Sequence, residues 1–314
     1  MEREDDFKLY LETLGRRMQV CGLRQKGKHM GKKTKIDWCD STWNPVTGCL
    51  HGCAYCYARR IAERFGGYPS DEKLHEFNVR QMVRHRNDDG EWNRWYKCAY
   101  PFSFAPTLHR YKLDEPRHWK KPRNIFVCSM ADLFGEWVPD EWIHEVFKAC
   151  EAAPQHRYLF LTKNPGRYSG LTRAGIMPHG ENFWFGATFD HSNWPGEDGA
   201  HRIPGRPVTF TLNGEMVHDA GDFYYPHYPE KNRFVSFEPL LYDIGAHIGS
   251  TGAQWHIIGA ETGNHKGKVA VRREWVEHIV DYSDKNGIPV FMKESLRDLM
   301  GDDFIQELPW NRKG

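Results

Sequence analysis

Short apolar runs recur along the chain from Ile36 onward, each closed by a turn and several followed by a polar-apolar spacing of helical period. Strand-length runs fall at residues 42–47, 102–107, 124–129, 157–162, 183–188, 233–238, 255–259 and 289–293. Helical spacing follows at 57–65, 140–152 and 272–286. In the first of these, Ala58, Ile61, Ala62 and Phe65 make one apolar face, with Arg59, Arg60, Glu63 and Arg64 opposite. Apolar strands alternating with helices predict βαβ units around a parallel sheet. Seven or eight of them predict an α/β fold, a (β/α) TIM-like barrel that is complete or nearly complete, over residues 36–314. Two long insertions interrupt the pattern near 66–101 and 191–232, the second with a hairpin signal at Asn213-Gly214. Residues 1–35 read as an N-terminal extension. Phe7, Tyr10, Leu11, Leu14 and Met18 give a helical spacing over 6–18, and a Gly-containing basic stretch follows.

Composition narrows the class. The 314 residues are 39% hydrophobic, 14% aromatic and 27% charged, too aromatic and too evenly charged for a disordered chain. No apolar run approaches the roughly 20 residues of a membrane helix. The acidic start MEREDDFKLY has no apolar signal core. The expectation is a cytoplasmic protein with no membrane segment. A net charge of +1 says nothing for or against nucleic acid. Locally, Arg16, Arg17, Arg24, Lys26, Lys28, Lys32, Lys33 and Lys35 form a basic stretch with no acid among them. Arg84, Arg86, Arg94 and Lys97 interleave with Trp92, Trp95, Tyr96 and Tyr100. Such patterns suit phosphate contact and base stacking, although a solvated linker and a half-packed lid are the commoner explanations.

Eight cysteines are too few for a disulfide scaffold of this length, but three of them cluster. Cys49, Cys53 and Cys56 form C-x3-C-x2-C, with Tyr55 just before the last and Gly48 and Gly52 in the loop. Thiolates hold iron–sulfur clusters and structural zinc. Three on one loop can cap three irons of a [4Fe–4S] cube and leave the fourth open. The alternative is a zinc knot closed by Cys39 or His51, but zinc sites more often use two separated pairs, and no second pair is present. The loop joins a predicted strand end to a predicted helix, at the mouth where barrel enzymes build their sites.

This motif resembles the signature of radical S-adenosylmethionine (SAM) enzymes. The wider chain is similar to a phage-encoded family of radical-SAM-like proteins of unassigned activity, from Lys35 to Leu296. The residues carrying that resemblance include Ile36-Asp37-Trp38, Thr42-Trp43-Asn44-Pro45-Val46-Thr47-Gly48-Cys49, Gly52-Cys53 and Cys56-Tyr57-Ala58. They continue with Ser129-Met130-Ala131-Asp132-Leu133-Phe134, Leu161-Thr162-Lys163-Asn164-Pro165, Ser236-Phe237-Glu238-Pro239-Leu240-Leu241 and Ile258-Gly259-Ala260-Glu261-Thr262-Gly263. Many members of that family have a longer gap between the first two cysteines; the gap of three here is the general radical SAM spacing. The resemblance implies a [4Fe–4S] cluster on Cys49, Cys53 and Cys56 whose open iron chelates SAM. It further implies reductive SAM cleavage, hydrogen abstraction from a substrate, and a flavodoxin- or ferredoxin-like electron donor. The phage family tilts the expected substrate towards a nucleotide or nucleic-acid base.

Six of the predicted strands, the third to the eighth, also end in polar residues: Ser129 and Asp132, Thr162 and Lys163, Thr188 and Asp190, Glu238, Glu261 and Thr262, Lys293 and Glu294. SAM presents a carboxylate, an ammonium and two ribose hydroxyls. Lys163 is the expected partner of the carboxylate, and Glu238 or Glu261 of the ribose or ammonium. Tyr55, Ser129, Asp132 and Thr188 complete the expected cofactor-binding set. Cys128, at a strand end, is the candidate catalytic thiol that returns a hydrogen atom, although a lone cysteine is more often a small buried hydrophobe.

Overall fold

The computed structural model describes residues 34–67, 73–84, 95–189, 232–245, 248–249, 252–263 and 268–311, with the backbone alone at 211–212 and 215–216. All lie in one compact unit, Lys33–Gly314. The expected N-terminal helix, the basic linker up to Lys33, Arg86, Trp92, Arg94, Asp190 and most of the 191–232 insertion lie outside the described residues.

One sheet of seven strands organises the unit. In chain order the strands are β1 (Ser41–Trp43), β2 (Asn124–Val127), β3 (Arg157–Thr162), β4 (Phe183–Thr188), β5 (Arg233–Phe237), β6 (His256–Ile258) and β7 (Val290–Met292). Sequence order is also spatial order, and every ladder is parallel. The longer helices among the described residues are α1 (Tyr57–Phe65), α2 (Asp140–Glu151), α3 (Gly166–Arg173) and α4 (Arg273–Lys285). α2 opens with Asp140 and Glu141 and closes near Lys148, charges that suit the two ends of a helix dipole.

Alternation along the strands divides the side chains between two cores. Ile125, Val127, Tyr158, Phe160, Phe185, Val235, Phe237 and Ile258 face outward, against Trp142, Val146 and Phe147 of α2 and Val276 and Ile279 of α4. Phe126, Leu159, Trp184, Phe234, Ile257 and Phe291 face inward and join Trp38 and Trp255. Trp38, just before β1, lies 4.6 Å from Phe126, 6.1 Å from Phe234 on β5 and 6.2 Å from Trp255 beside β6, centroid to centroid. One side chain from the first strand's end of the sheet therefore touches the fifth and sixth, so the sheet is curled into a partial barrel. Among the described residues no ladder joins β1 to β7. The seam is bridged instead by Asp37, whose Oδ2 accepts from the Glu294 amide after β7 at 2.9 Å.

The expected strand at 42–47 is two strands. Pro45 lacks a donor and restrains Asn44, so the chain leaves the main sheet there. Val46–Thr47 then pairs antiparallel with Thr107–His109, which pairs parallel with His75–Phe77. The expected strand at 102–107 is thereby corrected. Residues 101–105 are turns, with Ser103 at φ 53° and Pro106 without a donor, and only Thr107 onward is extended, in this accessory sheet. α3 was not visible in the pattern, because two glycines and polar residues blur its periodicity. The hairpin signal matches an antiparallel pair, Thr211↔Met216 and Leu212↔Glu215. No helix among the described residues is long and apolar enough to cross a membrane.

Candidate metal and cofactor site at the strand ends

The three-cysteine loop sits against the C-terminal end of β2. Gly48 bridges Ala131 in parallel register, and its amide donates to the Met130 carbonyl at 2.9 Å. Gly48 has φ 88°, and a Cβ there would stand 2.3 Å from the Ala105 carbonyl oxygen, so only glycine fits. The Cys49 amide donates to the Phe104 carbonyl at 3.3 Å, and the Cys56 amide to the Cys53 carbonyl at 3.2 Å. Cys56 is the N-cap of α1: its Sγ accepts from the Arg59 amide at 3.3 Å. Cys49 and Cys56 pack on a small core of Ala58, Ala62, Phe104 and Met130. All three cysteines are half-buried thiols outside any disulfide. Burial first, then the charge of Asp132, pushes the Cys49 thiol well above the ordinary thiol range. Such a thiol gives up its proton when a cation arrives.

Beneath the loop lies Asp132, only 5% exposed. Its Oδ2 meets His51 Nε2 at 2.7 Å and accepts from the Lys163 amide at 2.9 Å. Its Oδ1 accepts from the Thr162 hydroxyl at 2.7 Å and the Phe134 amide at 3.0 Å. Burial alone would raise its pKa. The hydrogen bond and charge of His51, with the Lys163 and Thr162 donors, outweigh burial and hold the carboxyl below its ordinary value. Lys163 Nζ donates to the Tyr55 hydroxyl at 2.6 Å. Asn44 Oδ1, following β1, accepts from the Met130 amide at 2.9 Å and the Ser129 hydroxyl at 3.2 Å, fixing the end of β2.

By parity with Trp184, Phe234, Ile257 and Phe291, the inward-facing positions towards the strand ends are Thr188, Glu238, Gly259 and Lys293. Lys293 and Glu238 form an ion pair across β6, both partly exposed. Gly259 lies between them: a Cβ there would meet Lys293 Cδ at 2.9 Å and Glu238 Cγ at 3.2 Å. Tyr57 is 47% exposed, its hydroxyl donates to the Ser129 carbonyl at 2.6 Å, and surrounding protein, then the charge of Glu238, raises its pKa.

Other expected residues fall elsewhere. Alternation from Phe126 would aim Cys128 inward, but its backbone is left-handed at φ 60°. The thiol is 2% exposed in the helix-side core, in the same cluster as Cys150, and burial raises its pKa to about 12. The structure does not bring it to the mouth. Glu261 is buried and accepts from the Val269 amide at 2.9 Å. Of the two zinc-closing candidates, His51 is engaged by Asp132, and Cys39 donates to the Ile36 carbonyl and packs on the inner aromatic core. Among the described residues no three His, Cys, Asp or Glu converge as one metal ion requires. A cubane asks something different, because each cysteine takes a separate iron. The sulfur donor set and the glycine-lined loop fit that group.

The family model for proteins of unknown function designated DUF5131 matches residues 33–202 and 224–297. The chain belongs to the DUF5131 family. The DUF5131 match takes in all three cysteines together with Asp132, Lys163, Glu238 and Lys293, and passes over residues 203–223. No curated protein matches the sequence. Among solved structures, a cysteine-to-serine mutant of spore photoproduct lyase is similar at a TM-score of 0.42 and 12% identity, over 83% of this chain and 79% of that one. Sequence reading used His51 only as a zinc ligand and missed Asn44. A histidine inside the cysteine loop and an Asn-Pro directly after a strand were the available signals.

Proposed function

We propose that this DUF5131 member is a radical SAM enzyme, with Cys49, Cys53 and Cys56 holding a [4Fe–4S] cluster. The observation that carries the reading is the cysteine loop itself: three thiols on one glycine-lined turn at the strand-end mouth of a partial α/β barrel. When bound, the cluster supplies the electron that cleaves SAM to a hydrogen-abstracting radical. Lys163 offers a cation beside Tyr55, and the backbone around Ser129 offers polar groups at the end of β2. Thr188 and the Glu238–Lys293 pair give the inner wall a hydroxyl, an acid and a base to orient SAM and substrate. The aromatic core centred on Trp38, Phe234 and Trp255 fills the barrel and keeps water from it. A flavodoxin- or ferredoxin-like protein is the proposed electron donor, and a nucleotide or nucleic-acid base the proposed substrate.

The deciding experiment is anaerobic reconstitution with iron, sulfide and zinc analysis, then electron paramagnetic resonance of the reduced protein with and without SAM. About four irons per chain and a signal that SAM shifts are expected. One zinc and no iron would make the cysteines structural and end the proposal. Each single change, Cys49→Ala, Cys53→Ala or Cys56→Ala, is expected to abolish SAM cleavage; full iron and full cleavage in any of them would remove that residue from the ligand set.

A further inference from the structure

The residues between the cysteines are held as firmly as the cysteines are spaced. His51 lies between Cys49 and Cys53, and Tyr55 between Cys53 and Cys56. Each is gripped from below by a different residue: His51 by Asp132 at 2.7 Å, Tyr55 by Lys163 at 2.6 Å. The two grips are themselves joined, since the Lys163 amide donates to Asp132 at 2.9 Å. We propose that Asp132 and Lys163 form a two-point clamp that sets the shape of the three-cysteine loop before any metal binds, with His51 and Tyr55 as its handles.

Three features support positioning over ligation. Asp132 accepts from four donors on the loop, on its own turn and on the end of β3, so both carboxylate oxygens are engaged and it is 5% exposed. A buried carboxylate so engaged is fixed in place, because losing any donor leaves charge unsatisfied. His51 is held from two sides, by that bond through Nε2 and by the Trp137 ring, which packs edge-on against it at 4.9 Å. Lys163 divides its work: the backbone amide secures Asp132 while the side chain reaches Tyr55. The ends of β2 and β3 thereby define where the loop's two inter-cysteine spans sit. Pre-formed geometry lowers the ordering cost of binding, so the clamp's consequence is readier cluster uptake. That consequence rests on the proposed cluster; the clamp itself does not.

The test measures amide hydrogen exchange in the full chain, first without metal and then after reconstitution. In Asp132→Asn and Lys163→Met, metal-free exchange across residues 48–56 is expected to quicken about tenfold, while β3, β4 and β5 keep their wild-type rates. Iron incorporation should fall in both, and Lys163→Arg should restore the loop's protection. Unchanged exchange over 48–56 would overturn the clamp. So would acceleration throughout the sheet, which would make these residues general supports of the fold. If the wild type takes up no iron but the loop loosens as described, the cluster reading fails and the clamp stands.

Discussion

Two glycines in the same loop have unlike reasons to be glycine. Gly48 has φ 88° and the Ala105 carbonyl against its α-carbon; Gly52 has φ 75° and nothing within 4 Å of the Cβ it lacks. Gly52→Ala should therefore cost about 1 kcal/mol, the left-handed penalty alone. Gly48→Ala adds a clash with backbone and should cost more than about 3 kcal/mol. Denaturant unfolding of the two variants checks the order, and equal losses would refute it. At this scale the sequence was legible where chemistry is local. The three cysteines and two glycines stand within nine residues, and the structure carries them on one loop against the end of β2. Cys128 is the small buried hydrophobe that a lone cysteine more often is, and the left-handed φ that goes with its place in the helix-side core could not be seen in the letters. Asp132 was legible as a polar strand end, but its burial under His51 depends on residues 81 positions away.

Between elements, β6 and α4 are joined by a buried polar contact with a pH signature. His256 Nδ1 lies 2.8 Å from Ser283 Oγ, whose own proton goes to the Ile279 carbonyl at 2.6 Å. Nδ1 must then carry the proton. Nε2 is buried with no hydrogen-bond partner among the described residues. Burial lowers the His256 pKa to about 4, and that of His109 in the accessory sheet to about 3. The unfolded chain binds protons below about 6.5, where these native rings refuse them. Stability is thus full above that pH and falls as pH drops towards the folded values, by about 1.4 kcal/mol per pH unit for each ring. Denaturant midpoints between pH 7 and 4.5 should show the fall, and His256→Gln should flatten part of it; an unchanged slope would refute the assignment. Strands and long helices were legible because their apolar periods are strong. The split at Pro45 was readable in principle, since proline forbids a continuous ladder. α3 was not, because packing of Tyr168 and Leu171 stabilises what its sequence does not favour.

For the whole molecule, a parallel α/β sheet could be read from the alternation of elements, while the complete or nearly complete barrel expected from the strand count is a partial one. What could not be read is how the ends meet. Trp38 looked like one apolar residue ahead of a strand, yet its ring contacts aromatic residues from three parts of the sheet. Trp38→Ala should cost about 3–5 kcal/mol, measured by denaturant unfolding. A loss below about 1 kcal/mol would show that the other inner rings hold the curl without it. In a fully laddered barrel the backbone itself sets the circumference, through strand number and stagger. Here Asp37 and Trp38 do that work at the seam, so the barrel is a clasp and not a hoop. Its bore is written in a few side chains, and point substitutions there can resize it without touching a single ladder.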